Sequence, residues 1–577
     1  MRLKKTENSR KSLWENLRLL SRTILDYMIC IYLATMLAVF PFYNEEGYSH
    51  IGTDKSVFFC RLGTGMGKIL IIPLGVYLLL GFGRFAAEKF SKSASRKSDS
   101  YAQGTAVSGR CGFEASAGGG IRHVRLSPTD LFTLIYGGAL LLSYFFTDYR
   151  EAALWGERGW YMGLLPQLML LSIYFLVSRF WKPRKKLFYL CLPVSAAVFL
   201  MGCLNRFGIY SFGLEFVNVG YISTIGNVNW YCGYAVSVMF AGVALPWLCE
   251  RLKTWQRVLL MLYTAIGYLS LILQGSDSGL IALTVVMLVL LCMSTGDSSR
   301  MLTFWQEMTI LSVECLGIYV FRKLVPGGIN FVGDLAEIFV CGPVSIAMTV
   351  VSVFSLIFVW RDKVKNIHQE KLYRILALAA VLGSVAVMLG VLLLGLINTL
   401  HPGILGKLSE NDLFTFNMDW GSHRGATWWA GFRCFAEQDI LHKLVGVGPD
   451  GMWSYISSGA SAGFTATVEE VFGSLRLTNA HNEWLTILAD TGILGVTGYA
   501  GMMICGIREL LQGGQKNPAA AACGFCLLAY VVNGMFSFQQ SMGAGTIFVM
   551  FGIGMAFLNE RRKEDRHSQV STNRAFS

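Results

Sequence analysis

The feature that most constrains this chain is the recurrence of apolar blocks, each about 20 residues long, from one end to the other. A helix that crosses hydrocarbon satisfies its backbone N–H and C=O groups internally, and about 20 mostly apolar residues give it the length to do so. Segments of that kind fall at 21–41, 66–83, 130–146, 161–180, 187–204, 229–249, 256–274, 278–294, 307–323, 339–360, 374–398, 482–507, 518–536 and 541–558. The weakest are 278–294 and 307–323, so about 12–14 spans are expected. Composition agrees: 53% of the residues are hydrophobic and only 15% are charged, too few charges for a soluble chain of this length. The expected fold class is all-α, a polytopic helical membrane bundle.

The net charge of +12 would suit a nucleic-acid partner, but its distribution argues for none. With a cytoplasmic N-terminus, the basic stretches recur on alternate loops: the first 20 residues, 84–125, 181–186 (WKPRKK), 250–257, 361–374 and the tail 561–574. About 36 of the 49 Lys and Arg then lie inside, the bias that orients spans in a bilayer. Both termini are expected in the cytoplasm of a plasma-membrane protein. Ser21–Phe40 is long enough to span and reads as the first span, not as a cleaved signal. The cysteines lie mostly within spans and are read as showing no Cys-x-x-Cys or Cys/His spacing, so neither a disulfide framework nor a zinc site is inferred from them.

Divided by these features, the chain has a basic N-terminus (1–20), two spans (21–83), a linker (84–128), a bundle (129–398), a long loop (399–481), the last spans (482–558) and a basic tail (559–577). The linker is rich in Ser, Gly, Lys and Arg and reads as disordered. The long loop falls on the outer face. It holds Trp420, Trp428, Trp429 and Trp453, a composition expected of a folded segment at a membrane surface.

Within that loop, Arg424–Gln438 has helical spacing, with Arg424, Trp428, Phe432 and Phe435 on one face. This predicts an interfacial helix with Arg424 at its N-terminal end. Such a helix either anchors the loop, with Arg424 on lipid phosphate, or presents Arg424 to a ligand. Val445–Tyr455 (VGVGPDGMWSY) is a tight glycine turn and not a phosphate-binding P-loop, since no Gly-Lys-Ser/Thr follows. The near match Gly63–Lys68 is rejected because Ile69 stands where Ser or Thr is required. The loop ends at Asn479-Ala480-His481-Asn482, with Asn479 or Asn482 the expected helix cap. His481 then sits at a helix N-terminus, whose field favours a neutral imidazole able to accept a proton. The plainer reading is an interfacial His with a satisfied hydrogen bond. Shorter outer segments add Arg158, Asn227, Asn229 and Asp277 on the same side.

Three segments resemble the O-antigen ligase/O-antigen polymerase superfamily of bacterial envelope glycosyltransferases. They are GNVNWYCGYA at 226–235, Arg424 through Gly451 with its W…GVGP pattern, and AHNEWLTILADTGILG at 480–495. Glu151–Trp160 also looks like the family's outer Gly-Arg-Gly segment, and the resemblance covers about residues 130–558. It implies an outer-face active site and a glycan donor carried on undecaprenyl diphosphate. It also implies a diphosphate-holding Arg and a His base, which carry over to Arg424 and His481. The acceptor is a glycan, a lipid or a protein. Trp428 would stack on sugar or polyprenyl chain, and Asn482 would line the site. The family often has Ser-Arg-Gly where this chain has Ser276-Asp277-Ser278-Gly279. A second phosphate-binding Arg is therefore unassigned among Arg158, Arg433 and Arg476.

The expected chemistry is inverting, metal-independent glycosyl transfer with no cofactor. Two adjacent acid pairs, Glu45/Glu46 and Glu469/Glu470, are expected to be solvated. The rivals are a flippase for the same lipid-linked glycan and a non-catalytic component of an envelope assembly. A flippase would carry paired polar residues at mid-membrane; Asp26, Lys68, Glu314 and Asp490 are the ionisable residues placed within spans.

Overall fold

The computed structural model describes residues 2–102, 126–329, 333–367, 369–514 and 517–575. The described residues are helical almost throughout, with one two-stranded ribbon pairing Tyr221–Ile222 with Gly226–Asn227. The first helices are α1 (Arg2–Ala34), α2 (Ile51–Ala102), α3 (Pro128–Phe146), α4 (Arg150–Trp155), α5 (Leu164–Phe180), α6 (Lys185–Tyr189) and α7 (Cys191–Arg206). Then come α8 (Val228–Leu248), α9 (Thr254–Gln274), α10 (Asp277–Ser294), α11 (Ser298–Leu324), α12 (Asp334–Val340), α13 (Gly342–Lys365) and α14 (Glu370–Leu400). The loop contributes α15 (Trp420–Glu437), α16 (Ile440–Val445), α17 (Met452–Ser458) and α18 (Ala462–Phe472). The chain closes with α19 (Glu483–Gly513), α20 (Pro518–Asn533) and α21 (Ser541–Ala575).

Eleven of the described helices are long and apolar enough to cross a membrane, so the protein is a multi-pass membrane protein. All fourteen apolar segments read from the sequence fall on helices. Leu164–Phe180 and Pro518–Asn533 are apolar but short. The 27-residue α11 is long enough to span but too polar to be recognised by hydropathy. Connectivity still carries it along the bundle. It packs against α9 and α13 and must return the chain from the far end of α10 to the start of α12.

The apolar windows of α8 and α21 are wholly buried, whereas that of α14 is only 6% buried. The first two therefore form the centre, and α14 faces the lipid along nearly its whole length. Helix packing here depends on small residues. Gly498 and Gly501 of α19 let α3 approach at Tyr136 and Phe132.

The linker expected to be disordered over 84–128 is helical as far as Ala102. The reason is local. Ala86, Ala87, Glu88 and Lys89 are strong helix formers, and they extend a helix already nucleated in α2. The stretch 103–125 lies outside the described residues.

The connecting segments at one end of the bundle meet. Tyr48 donates to the Ser223 carbonyl (2.6 Å), the Glu157 N–H to Asp450 (2.8 Å), and the Leu335 N–H to Asp277 (3.0 Å). The long loop closes over that end. It has a small core of its own, in which Ala430, Cys434, Val447, Met452, Ile456, Phe464 and Val468 are buried and Trp429 and Trp453 pack against them.

Candidate functional site

The site is built where three chain segments converge: the start of α15, the residues before α19, and the turn 534–540 between α20 and α21. Within α15 the backbone is left-handed at Gly421, Ser422 and His423, so regular helix begins at Arg424, as the spacing predicts. The face that packs on the protein is a different one from the aromatic face expected at the membrane. Ala426, Thr427, Ala430, Gly431 and Cys434 are buried, while Phe432 is exposed. Small residues win because Gly431 comes close to Ala480, an approach that large aromatic rings would block.

Arg424 leaves that face sideways. Its Nε donates to the Phe536 carbonyl (3.1 Å) and its Nη1 to the Gly421 carbonyl (3.0 Å). Its Nη2 has no hydrogen bond among the described residues. Burial lowers the guanidinium pKa, and Asp277 and Cys232 oppose that shift.

His481 precedes α19, whose N-cap is Asn482. The Asn482 carboxamide oxygen accepts from the Trp484 and Leu485 N–H groups (3.0 and 3.1 Å). Asn479 takes the other role: its side chain accepts the His481 N–H (3.1 Å) and holds that residue in the left-handed region at φ 47°. The His481 ring packs edge-on against Phe538, with centroids 4.8 Å apart, and neither ring nitrogen has a hydrogen-bond partner among the described residues. Its pKa is lowered to about 4, first by burial and then by the charge of Arg424. The imidazole is neutral, as expected, but burial and Arg424 are the causes, not the helix field.

The remaining predicted residues divide. Asp277 lies within electrostatic reach of Arg424 and accepts from the Leu335 N–H. Asn229 accepts from Ser276 (3.0 Å), next to Ser278 and Cys232 on the same side of the site. Trp428 packs between Trp420 and Phe536, and its buried indole N–H has no acceptor. Asn227 is a cap, accepting from the Asn229 N–H (2.9 Å). Arg433 is not gathered in: it pairs with Glu437 at 2.8 Å on the loop surface. Arg476 reaches Glu157 at 3.7 Å, on the segment that carries the exposed Arg158. Two residues on, Trp160 meets Phe538 edge-on, so Arg158 and Arg476 belong to the rim.

Two groups of residues were not read from the sequence. One is the turn 534–540 (GMFSFQQ), whose Phe536 and Phe538 touch Arg424 and His481; its signal was a pair of glutamines closing a short gap between two spans. The other is Asp450 and its pairing with Asp490, a residue read from the sequence only as an ionisable group within a span. Asp450 stands in the glycine turn that was read only as a turn. Cys523 and Cys526 do stand in a Cys-x-x-Cys spacing, inside α20, where both are buried free thiols.

The structure explains why GVGP and ADTGILG occur together. Helix α19 breaks at Gly492 (φ 67°, ψ −167°), and the carbonyls freed at Ala489 and Asp490 accept the N–H groups of Val447 and Gly448 (3.2 and 3.0 Å). Ser143 of α3 also donates to the Asp490 carbonyl (2.6 Å), and Thr147 donates to that of Val447. The glycine turn and the broken helix are one joint.

Among the described residues no three His, Cys, Asp or Glu side chains gather as a metal site. No protein-family model matches the chain, and no curated protein matches it.

Proposed function

We propose that the protein is a membrane glycosyltransferase that moves a glycan from undecaprenyl diphosphate to an acceptor hydroxyl on the extracytoplasmic face, as the resemblance to the O-antigen ligase/polymerase superfamily implies. The observation that carries this reading is the pairing of Arg424 and His481. They are 57 residues apart in sequence, lie within electrostatic reach, and each keeps an unengaged polar atom. An orphan indole N–H on Trp428 beside them supplies a donor for a phosphate or sugar oxygen. In this arrangement both termini are cytoplasmic, and the candidate site meets the lipid headgroups.

The acceptor oxygen attacks the anomeric carbon while the bond from that carbon to the diphosphate oxygen breaks. The electron pair leaves with the diphosphate, which Arg424 neutralises; a planar guanidinium suits phosphate oxygens. The hydroxyl proton goes to His481, and direct displacement inverts the anomeric centre. A base with a pKa of about 4 is weak at neutral pH, but a bound diphosphate offsets the Arg424 charge and raises it, so the base strengthens when donor binds. The experiment is product analysis: membranes containing the protein, a labelled lipid-linked oligosaccharide and candidate acceptors should yield a glycan-extended acceptor. Absence of transfer to every acceptor class would remove this reading.

One observation favours the transporter alternative. Glu307 in α11 is fully buried with both carboxylate oxygens unpartnered, and ionisable residues inside a membrane commonly serve ion or substrate pathways. Movement of the lipid-linked glycan across vesicles without a transfer product, lost in Glu307→Gln, would support it.

A further inference from the structure

Next to the 479–483 segment that carries His481 lies a small cavity of about 30 Å³, room for a water molecule. Asp450, Asp490, Gln167, Asn479, Glu483 and Gln539 line it. Glu483 is satisfied there, accepting from Tyr499, Tyr530 and Gln539. The two aspartates are not satisfied in the same way. The Asp490 Oδ2 accepts the Asp450 N–H (3.2 Å), and the Gly451 and Met452 N–H groups at the start of α17 also turn to this carboxylate, while its buried Oδ1 has no hydrogen-bond partner among the described residues. The Asp450 Oδ2 accepts the N–H groups of Glu157 and Met162 (2.8 and 3.3 Å).

Among the described residues no Lys, Arg or His side chain pairs with either carboxyl, and the only positive field on them is that of backbone N–H groups, those at the start of α17 on Asp490 and those of Glu157 and Met162 on Asp450. Glu157 approaches from the segment before α5, Tyr136 from α3, Cys434 from α15 and Glu483 from α19 itself. The nearest ion pair runs outward, from Glu157 to Arg476. Two buried carboxylates without a counter-ion do not both stay ionised.

We infer that Asp450 and Asp490 hold one proton between them across the water-sized cavity, and that this protonated pair positions His481. The link is Asn479, which lines the cavity and accepts the His481 N–H. A second link is Thr486, also in the lining, whose hydroxyl accepts the Ala480 N–H (3.0 Å). The orphan Oδ1 of Asp490 accepts from the protonated carboxyl through a cavity water. Burial pushes the Asp450 carboxyl up to about 7, in keeping with a proton resident at neutral pH. Asp450 and Asp490 are positioning residues. Their bearing on catalysis rests on the proposed transfer; the shared proton does not.

The test uses the full-length protein in nanodiscs and needs no substrate. Infrared spectra titrated through neutral pH should show, besides the bands of the other buried carboxyls such as Glu307 and Glu483, a further carbonyl band of a protonated carboxyl that is absent from both Asp450→Asn and Asp490→Asn. A missing band in the wild type, or a band that persists in both variants, overturns the shared proton. The titration midpoint of isotope-labelled His481 reads the positioning. Asp450→Asn, which keeps the acceptor oxygen, should leave it near 4, and Asp450→Ala should move it upward by a unit or so. An unmoved midpoint in Asp450→Ala overturns the positioning role even if the infrared band behaves as expected. Loss of transfer chemistry with both spectra as expected would fault the proposed function alone.

Discussion

The site has two halves that face each other across residues 479–483. On one side Arg424 and His481 present a cation and a neutral base with unengaged atoms toward the loop end of the bundle. On the other, Asp450 and Asp490 are buried, with no Lys, Arg or His paired with them among the described residues. On the proposed reading, the first half receives the diphosphate of the donor. The second is closed on itself and holds the first in place. Burial acts on both, but it lowers the basic groups and raises the acidic one, so each half favours its neutral forms.

The largest effect should come from breaking the open half. Arg424→Ala should lower transfer by about 10²–10³-fold, the size of loss seen when a group stabilising a developing charge is removed, with membrane insertion intact on protease mapping. Next comes the joint between the halves. Gly492 has a backbone conformation close to glycine-only, so Gly492→Ala should cost about 1–3 kcal/mol and lower the melting temperature.

A smaller effect sharpens the comparison electrostatically. Arg424→Gln should raise the His481 midpoint from about 4 only part of the way toward its ordinary 6.5, because burial is the larger cause. Full recovery to 6.5 by NMR titration would mean that burial contributes little. The halves also respond oppositely to pH. Asp450 has a folded pKa of about 7, above its ordinary 3.8. The stability it contributes is fully present below about pH 4 and is lost as pH rises through about 7. His481 is depressed instead, so its contribution is present above pH 6.5 and lost as pH falls through about 4. Denaturant melts of Asp450→Asn and His481→Gln across that range should each flatten one of these slopes. The smallest effect belongs to the surface: Arg433→Ala should change transfer by less than about twofold, since an exposed i,i+4 pair contributes little.

Much of the helical frame could be read from the sequence because each crossing helix announces itself in a single apolar run. The weak segment 307–323, which lies in α11, shows the limit of that signal. Glu307, Glu314 and Gln306 dilute its hydropathy, and its packing against α9 and α13 supports its place in the bundle. The open half of the site was legible too, since Arg424 and His481 are polar residues at the borders of aromatic and apolar runs. The closed half was not. Asp450 looks like an ordinary turn residue, and its partner lies 40 positions away in an apolar helix. The turn 534–540 was missed for a similar reason: Phe536 contributes its backbone carbonyl, which no side-chain pattern reveals. The face by which α15 packs on the protein was not legible, because that contact is made by small residues and hydrophobic periodicity weights large ones.

The most direct measurement of the central claim compares wild type with His481→Gln in membranes given labelled undecaprenyl-diphosphate oligosaccharide and candidate acceptors. The account predicts that wild type forms acceptor-linked glycan with inverted anomeric configuration, and that the variant, equally inserted and still binding donor, forms about 10²–10⁴-fold less. Near-equal product from the two proteins, or retained configuration, would contradict it.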